Sequence, residues 1–494
     1  MAKISELKGV EKPVAEWLSK MGWTYKSLED LQEYHRPFSN PIIEQVLLAK
    51  IKQFNGLADS DAQSVMETLT QHLNNPTPID GNEKFLERLA KGTTINIQGE
   101  PQDCIYIDFK NIWRNDFVVT QQYWVQGYKM VKTDIVLLVN GIPLVPIEAK
   151  QRARKGTNWM EGVKQFSTYQ QRASQYWMSH CFGVACNGRI TKYGIPGASA
   201  SYFNEWKDTI IDTAFDNPIL DIGNNLCEHE EKDGYVHFKI KYLRTPDGKQ
   251  IPEEQMKWGI VGLLQPARVM DILQHFIVFE RTEDSGIIKK VARYQQLRAA
   301  NKIVDRVVKE ELKQGVIWHT QGSGKSLTML YTAYKLRQNE KLNDPTVYIV
   351  VDRKDLKEQI GGTFDDCEFP NVDTIRNIGD LIHKIDTKPA GVFITTIQKF
   401  QELGNRKDGR TNVILLIDEA HRTQSGEFQI KLQNVFPCAK RFAFTGTPIP
   451  KTYRDFGIRD GTRLIEAYLD QYSIKDSIED GATVKVRYTF GPIK

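Results

Sequence analysis

GVIWHTQGSGKS, residues Gly315 to Ser326, is a short apolar strand that runs into a glycine-rich turn, ends in Gly-Lys-Ser and opens a helix. That order is a phosphate cradle. The turn from Thr320 through Gly322, Ser323 and Gly324 offers backbone N–H groups, and the positive end of the helix beginning near Gly324 adds its dipole, so the β- and γ-phosphates of ATP are the expected occupants. Lys325 reaches the terminal phosphates and Ser326 ligates Mg²⁺ in this reading. The strict pattern has glycine at position 319, where this chain has His319. A second stretch repairs the match: NVILLIDEAH, Asn412 to His421, is a buried β-branched strand ending in two carboxylates. Asp418 is expected to hold Mg²⁺ through water, and Glu419 to orient and deprotonate the attacking water.

The remainder of the chain bounds what surrounds this site. With 494 residues it is too long for a single core. The 66 Lys and Arg nearly balance the 62 Asp and Glu, so any nucleic-acid contact must come from local basic surfaces rather than from a globally basic protein. No stretch has the length of a membrane span and the N-terminus has no apolar signal core, which predicts a cytoplasmic protein. Six cysteines at 104, 181, 186, 227, 367 and 438 include no C-x-x-C pair, which predicts reduced structural thiols rather than a zinc site or a disulfide framework.

Helical spacing over 40–54 and 60–73 predicts a helical start. From Thr93 the pattern turns to short strands: INIQG, CIYIDF, DFVVTQQYWVQG, TDIVLLVNG and PLVPIEAK, then a helix near 157–175 and a strand over 180–188. Beyond a charged seam at 222–262, the strands at 347–352, 391–396, 413–418 and 441–448 alternate with helices, the pattern of a doubly wound parallel sheet. The expected domains are therefore 1–262, 263–468 and 469–494, the last expected as the truncated start of a further lobe.

Thr133 to Gln151, TDIVLLVNGIPLVPIEAKQ, holds a second constellation: two apolar strands about an Asn-Gly turn, with Asp134 opening the first and Glu148 and Lys150 closing the second. Two carboxylates at the ends of buried strands are costly without a compensating cation. Asp134 and Glu148, with the Ala149 carbonyl, would hold Mg²⁺ while Lys150 positions or activates water for attack on a phosphodiester. Parity constrains the hairpin. A plain two-residue turn at Asn140-Gly141 would set Asp134 opposite Ile147 and leave Glu148 on the other face. The reading therefore requires a three-residue loop with Gly141 left-handed in a G1 bulge, or a bulge elsewhere, with Pro146 a natural place. Gln165 and Tyr169 lie one helical turn apart in the following helix, and Glu44 is an acidic position on an earlier one. Solvation for Glu44 and simple packing for Gln165 and Tyr169 are the alternatives. The basic run Lys150 to Lys155 either guides a DNA backbone or is a solvated loop.

The motor half resembles the first lobe of superfamily 2 helicases through GSGKS, VVDRKDL (351–356 within it), TTIQKF (395–400), DEAH (418–421) and TGTP (445–448), in that family's order. ARYQQ (292–296) resembles the family's adenine-reading segment, with Gln296 chosen for the role and Gln295 its open alternative. The family hydrolyses ATP between two lobes, and the stretch after TGTP is too short for a second, so the resemblance implies ATP binding with poor turnover by this chain alone. The D…E-x-K pattern resembles PD-(D/E)XK nucleases, although Thr133 stands where that family has proline. D…E-x-K, then Q-x-x-x-Y, then such a motor resembles the restriction (R) subunit of type I restriction-modification enzymes. That resemblance implies a mixed-sheet nuclease domain flanked by helices followed by a RecA-like domain. It further implies ATP and Mg²⁺ as cofactors, double-stranded DNA as substrate, and methyltransferase and specificity subunits as partners. The rivals are a translocase with an inactive nuclease-like domain and a nucleotide-binding scaffold without catalysis.

Overall fold

The computed structural model describes residues 7–483 except 35, 98, 152–157, 209, 213–228, 233–234, 239–240, 245–249, 253, 285, 402, 419–425 and 462. The chain forms two compact units, one of residues 1–279 with 287–291, the other of 280–286 with 292–494. The first unit thus runs past the expected seam at 262. Its extension is tied down: Trp23 Nε1 donates to the Leu264 carbonyl at 2.7 Å, and Arg268 pairs with Asp208 at 3.2 Å.

In the first unit a six-stranded mixed sheet follows chain order: β1 (Thr24–Tyr25), β2 (Phe117–Gln126), β3 (Met130–Val139), β4 (Ile142–Ala149), β5 (Gly183–Cys186) and β6 (Thr191–Gly194). The pairs β1–β2 and β4–β5 are parallel and the rest antiparallel. All of β4 is buried, as a central strand with both faces covered must be. Helix α1 (Glu44–Asn55) lies between β1 and β2 in the chain, and α2 (Trp159–Arg172) makes the crossover from β4 to β5. Val163, Phe166 and Tyr169 turn inward from α2 onto a core with Val136, Leu138 and Ala185. CIYIDF, expected as a strand, is extended only to Cys104. The next N–H, of Ile105, goes to Asn55 Oδ1 at 2.8 Å, and further on Asp108 accepts the N–H groups of Lys110 and Asn111 at 3.1 and 2.8 Å in a side-chain-made turn.

The β3–β4 hairpin decides the geometry of the first site. Asn140 and Gly141 both have positive φ, 51° and 80°, so the turn is a two-residue one rather than the three-residue loop expected. Val139 pairs with Ile142 and Leu138 with Pro143, but Leu137 pairs with Val145. Leu144 is the extra residue. The bulge therefore lies at Leu144 and not at Pro146, and proline chemistry accounts for its existence. Hydrogen-bonded and non-bonded pairs alternate away from the turn. Without a bulge Pro146 would meet Ile135 at a position that must donate an N–H, which proline lacks. The extra residue moves Pro146 opposite Val136, where β3 asks no N–H of it.

The second unit is built on a seven-stranded parallel sheet: β7 (Gln314–His319), β8 (Thr346–Val351), β9 (Val372–Thr374), β10 (Gly391–Thr396), β11 (Val413–Ile417), β12 (Lys440–Thr445) and β13 (Asp470–Tyr472), in spatial order β9-β10-β8-β11-β12-β7-β13. This is the RecA-like doubly wound sheet expected. Helix α3 (Tyr294–Lys309) precedes β7 and α4 (Lys325–Gln338) follows it. Residues after 468, expected as the start of a further lobe, supply β13, the edge strand of this same sheet beside β7. Among the described residues no helix is long and apolar enough to cross a membrane. Cys104, Cys181, Cys186, Cys367 and Cys438 are free thiols; Cys227 lies outside the described residues.

Candidate functional site

The bulge sets Ile135 opposite Ile147, which brings Asp134 level with Glu148 on one face. Around them the chain closes a small cluster. Lys150 Nζ lies 3.3 Å from Asp134 Oδ2 and 3.2 Å from Glu148 Oε2. The Ala149 N–H donates to Asp134 Oδ2 at 2.9 Å. Tyr169, reaching down from α2, places its hydroxyl 3.0 Å from the Lys132 carbonyl and in hydrogen-bond contact with Glu148 Oε1. Glu148 has no exposed surface, while Asp134 and Lys150 keep 13% and 12%, so the cluster opens to solvent on the Asp134–Lys150 side.

Electrostatics follow from that burial. Desolvation, with Asp134 next, pushes the Glu148 carboxyl well above the usual carboxylate range, against the pull of Lys150 and the Tyr169 hydrogen bond. Burial works to lower Lys150, but Glu148 and Asp134 outweigh it and hold the ammonium charged. Burial and the facing Glu148 raise the Tyr169 phenol, which stays a proton donor. Two carboxylates sharing one lysine are short of positive charge, and a divalent cation with oxygen preference fits that deficit. Among the described residues no group of three or more His, Cys, Asp and Glu side chains comes together, so the side-chain donor set here is the two carboxylates.

Gln165 lies on the same face of α2, and its Oε1 is buried without a hydrogen-bond partner. One turn earlier Gly162, which none of the sequence motifs includes, lets the helix settle on the strand: a Cβ there would stand 2.9 Å from Glu148 Cβ and 3.4 Å from Ala185 Cβ. A small residue three positions before the glutamine was the available signal. Glu44 is not drawn in by hydrogen bonding. It is exposed at the start of α1, accepts from Asn40 Nδ2 at 2.7 Å, and follows Ile43, whose N–H bonds the Gly141 carbonyl at the turn end of the hairpin, opposite the Asp134 end. Of the basic run, Arg152 to Lys155 lie outside the described residues.

In the second unit, β7, β11 and β12 end at one carboxyl edge of the sheet, where doubly wound folds bind ligands. The cradle leaves β7 there. Gly322 and Gly324 take φ of 80° and 86°, which favours glycine at both. At Gly324 a Cβ would also lie 2.4 Å from Gln296 Nε2. Gln296 donates to the Gly324 carbonyl at 3.2 Å and accepts from the Arg293 N–H at 2.9 Å. Gln295, the alternative, is turned into the core with both amide atoms lacking a partner. So Gln296 is the glutamine that touches the cradle. Thr320 is fixed by its N–H to the Tyr472 carbonyl at 2.9 Å, and Ser323 by its N–H to the Thr320 carbonyl at 3.2 Å. The Ser323 Oγ is buried with no protein partner, as an atom awaiting a ligand oxygen would be. Lys325 and Ser326, half-buried, open α4. A Cβ on Gly446 of TGTP would approach Gln321 N to 3.2 Å and Lys325 Nζ to 3.5 Å, so that loop closes against the cradle. Asp418 stands buried just past β11, its N–H on the Val350 carbonyl at 2.8 Å, while Glu419 and His421 lie outside the described residues.

Comparison with known proteins bears on both units. Residues 3–201 match the model of the type I restriction enzyme R protein N terminus, and residues 295–493 match that of the SWI2/SNF2 ATPase. The type I restriction enzyme HindI endonuclease subunit of Haemophilus influenzae is 28% identical over 521 residues, covering 97% of this chain and 45% of the relative. The putative type I restriction enzyme MjaIXP endonuclease subunit of Methanocaldococcus jannaschii is 28% identical over 512 residues, covering 99% and 46%. This chain thus spans just under half the length of either relative. Among solved structures, the Sulfolobus solfataricus SWI2/SNF2 ATPase core in complex with dsDNA is 16% identical over 32% of this chain and 33% of that one, at a TM-score of 0.25, too slight a likeness to argue from. With matches to the R-protein N terminus and the SWI2/SNF2 ATPase in that order, and relatives along nearly its whole length that are type I endonuclease subunits, the chain is similar to the endonuclease (R) subunits of type I restriction enzymes.

Proposed function

We propose that this chain is the cleaving and DNA-moving part of a type I restriction enzyme: it cuts unmodified double-stranded DNA after ATP-driven translocation, in the cytoplasm, beside methyltransferase and specificity subunits. The observation that carries the nuclease half is the Leu144 bulge, which puts Asp134 and Glu148 on one face with Lys150 between them. Mg²⁺ held by Asp134, Glu148 and the Ala149 carbonyl would polarise the scissile phosphate and make bound water a better nucleophile. Lys150, kept as an ammonium by its two carboxylates, donates to the phosphate oxygens as charge builds there. Tyr169 holds Glu148 in place with its phenolic proton, and Gln165 offers an amide on the same helix face for water or backbone contact.

In the motor, the cradle from Thr320 to Ser326 grips the phosphates, with Lys325 on the terminal ones, Ser326 and Asp418 around Mg²⁺, Glu419 as the base, and Gln296 beside the adenine. Each site has its own test. Asp134→Ala, Glu148→Ala or Lys150→Ala in the assembled enzyme should abolish cleavage of unmodified duplex DNA. Persistent cutting by all three would overturn the nuclease assignment and leave a translocase with an idle first domain.

A further inference from the structure

The residue that breaks the cradle pattern has a partner of its own. His319 is fully buried at the end of β7, opposite Tyr472 of β13. Its Nε2 lies 2.8 Å from Asp470 Oδ2. Asp470 is itself buried and gathers two cations from α3: Arg298 Nε at 2.6 Å and Nη2 at 3.1 Å, and Lys302 Nζ at 3.0 Å. Burial alone would raise the Asp470 carboxyl, but Arg298, the His319 hydrogen bond and Lys302 outweigh it and keep it ionised. Burial lowers His319 below its ordinary value, so near neutral pH the ring is uncharged and its proton sits on Nε2, facing the carboxylate.

The same helix also holds the other end of the loop, through Gln296 on the Gly324 carbonyl. Helix α3 therefore grips the cradle at its entry and its exit, and Thr320 is pinned to the Tyr472 carbonyl of the strand that carries Asp470. We propose that His319 is a positioning residue for ATP: its hydrogen bond to Asp470 locks the entry of the cradle to α3, so that the loop's N–H groups are oriented before the phosphates arrive. This rests on the reading of 319–326 as an ATP site. A glycine at 319 would leave the entry held by the backbone of β13 alone, with no link to α3, and the rest of its ordering would fall on the binding step. Asp470 would keep its two cations, so what is lost is the link to the loop rather than the compensation of a buried charge.

The test is the affinity of the 494-residue chain for a fluorescent ATP analogue with Mg²⁺, compared among variants whose nucleotide-free unfolding midpoints show that they are folded. His319→Gly should weaken binding by about tenfold, the cost of ordering roughly one residue. His319→Gln, whose amide nitrogen reaches as far as the imidazole Nε2, should bind within about threefold of the unaltered chain, whereas the shorter His319→Asn should resemble glycine. Should the glycine variant not fold, the Gln and Asn variants still decide the matter. Binding by His319→Gly equal to that of the unaltered chain, or no advantage of Gln over Asn, overturns the inference. Lys325→Ala separates the layers: if it alone loses binding, only the role of His319 falls, and if it too binds normally, the ATP reading of the loop falls with it.

Discussion

At the scale of single residues, Glu148 sets the behaviour of the first unit. Because its folded carboxyl is pushed up by burial and by Asp134, the folded chain holds a proton there that the unfolded chain has already released. Stability from this group is therefore full below the ordinary carboxylate range and is lost as pH rises through the folded value. Without divalent ions, Glu148→Gln should unfold at a higher temperature than the unaltered chain at neutral pH, and the gap should close in acid. Added Mg²⁺ should raise the midpoint of the unaltered chain and leave that of the variant nearly unmoved. Thermal scans at two pH values, with and without Mg²⁺, check both. Gly162 offers a test of the opposite sign from helix propensity. Alanine normally favours a helix by about 1 kcal/mol over glycine. Here the new methyl would meet Glu148 Cβ at 2.9 Å, on a central strand that cannot yield. Overpacking at about 1–3 kcal/mol should win, so Gly162→Ala should destabilise the unit and, by lifting Tyr169 off Glu148, lower cleavage by at least about tenfold.

At the scale of elements, the β3–β4 hairpin shows what was legible in the chain and what was not. Both strands, their Asn-Gly turn and the crossover helix could be read from alternation, turn chemistry and period, because each is a local preference. Parity demanded a bulge, yet its place depended on which positions of the ladder must donate, and that is a property of the pair. Pro146 carried the clue, since it cannot sit where the unbulged register would put it. His319 was legible only as a missing glycine; its partner Asp470 lies far along the chain on a strand whose apolar content is too small to announce it. Likewise the extension of the first unit past 262 depends on Trp23 and Asp208, distant residues that no local pattern links to it. Deleting Leu144 should restore regular pairing, turn Glu148 to the other face and abolish cleavage, while lowering stability by stranding Pro146 on a donating position. Combining the deletion with Pro146→Val should recover much of the unfolding midpoint but none of the cleavage. Recovery of both would show that the face of Glu148 does not matter.

At the scale of the whole molecule, the two constellations sit in separate compact units, each with its own sheet and core. Their chemistry should be separable. In the assembled enzyme, Lys325→Ala should cut DNA-stimulated ATP hydrolysis by at least about a hundredfold, since a charge-assisted contact to the transferring phosphate is gone, and cleavage that depends on translocation should go with it. Asp134→Ala should remove cleavage and leave ATP hydrolysis within about twofold, because its surroundings are confined to the first unit. Steady-state phosphate release and a plasmid-cutting assay on the same preparations check the pair. Loss of both activities in a folded Asp134→Ala chain would mean that the units are not independent.

The Leu144 bulge also leaves an arithmetic mark. Across a two-residue turn, regularly paired residues are always an odd number of positions apart, and one extra residue makes that number even. Asp134 and Glu148 are separated by an even count, so the irregularity is written in the spacing itself. Any chain that keeps this turn, this bulge and this pair of acids level can lengthen or shorten the hairpin only in steps of two. An odd count between the same two acids would announce, by spacing alone, that the bulge is gone, that a second irregularity accompanies it, or that the acids no longer share a face.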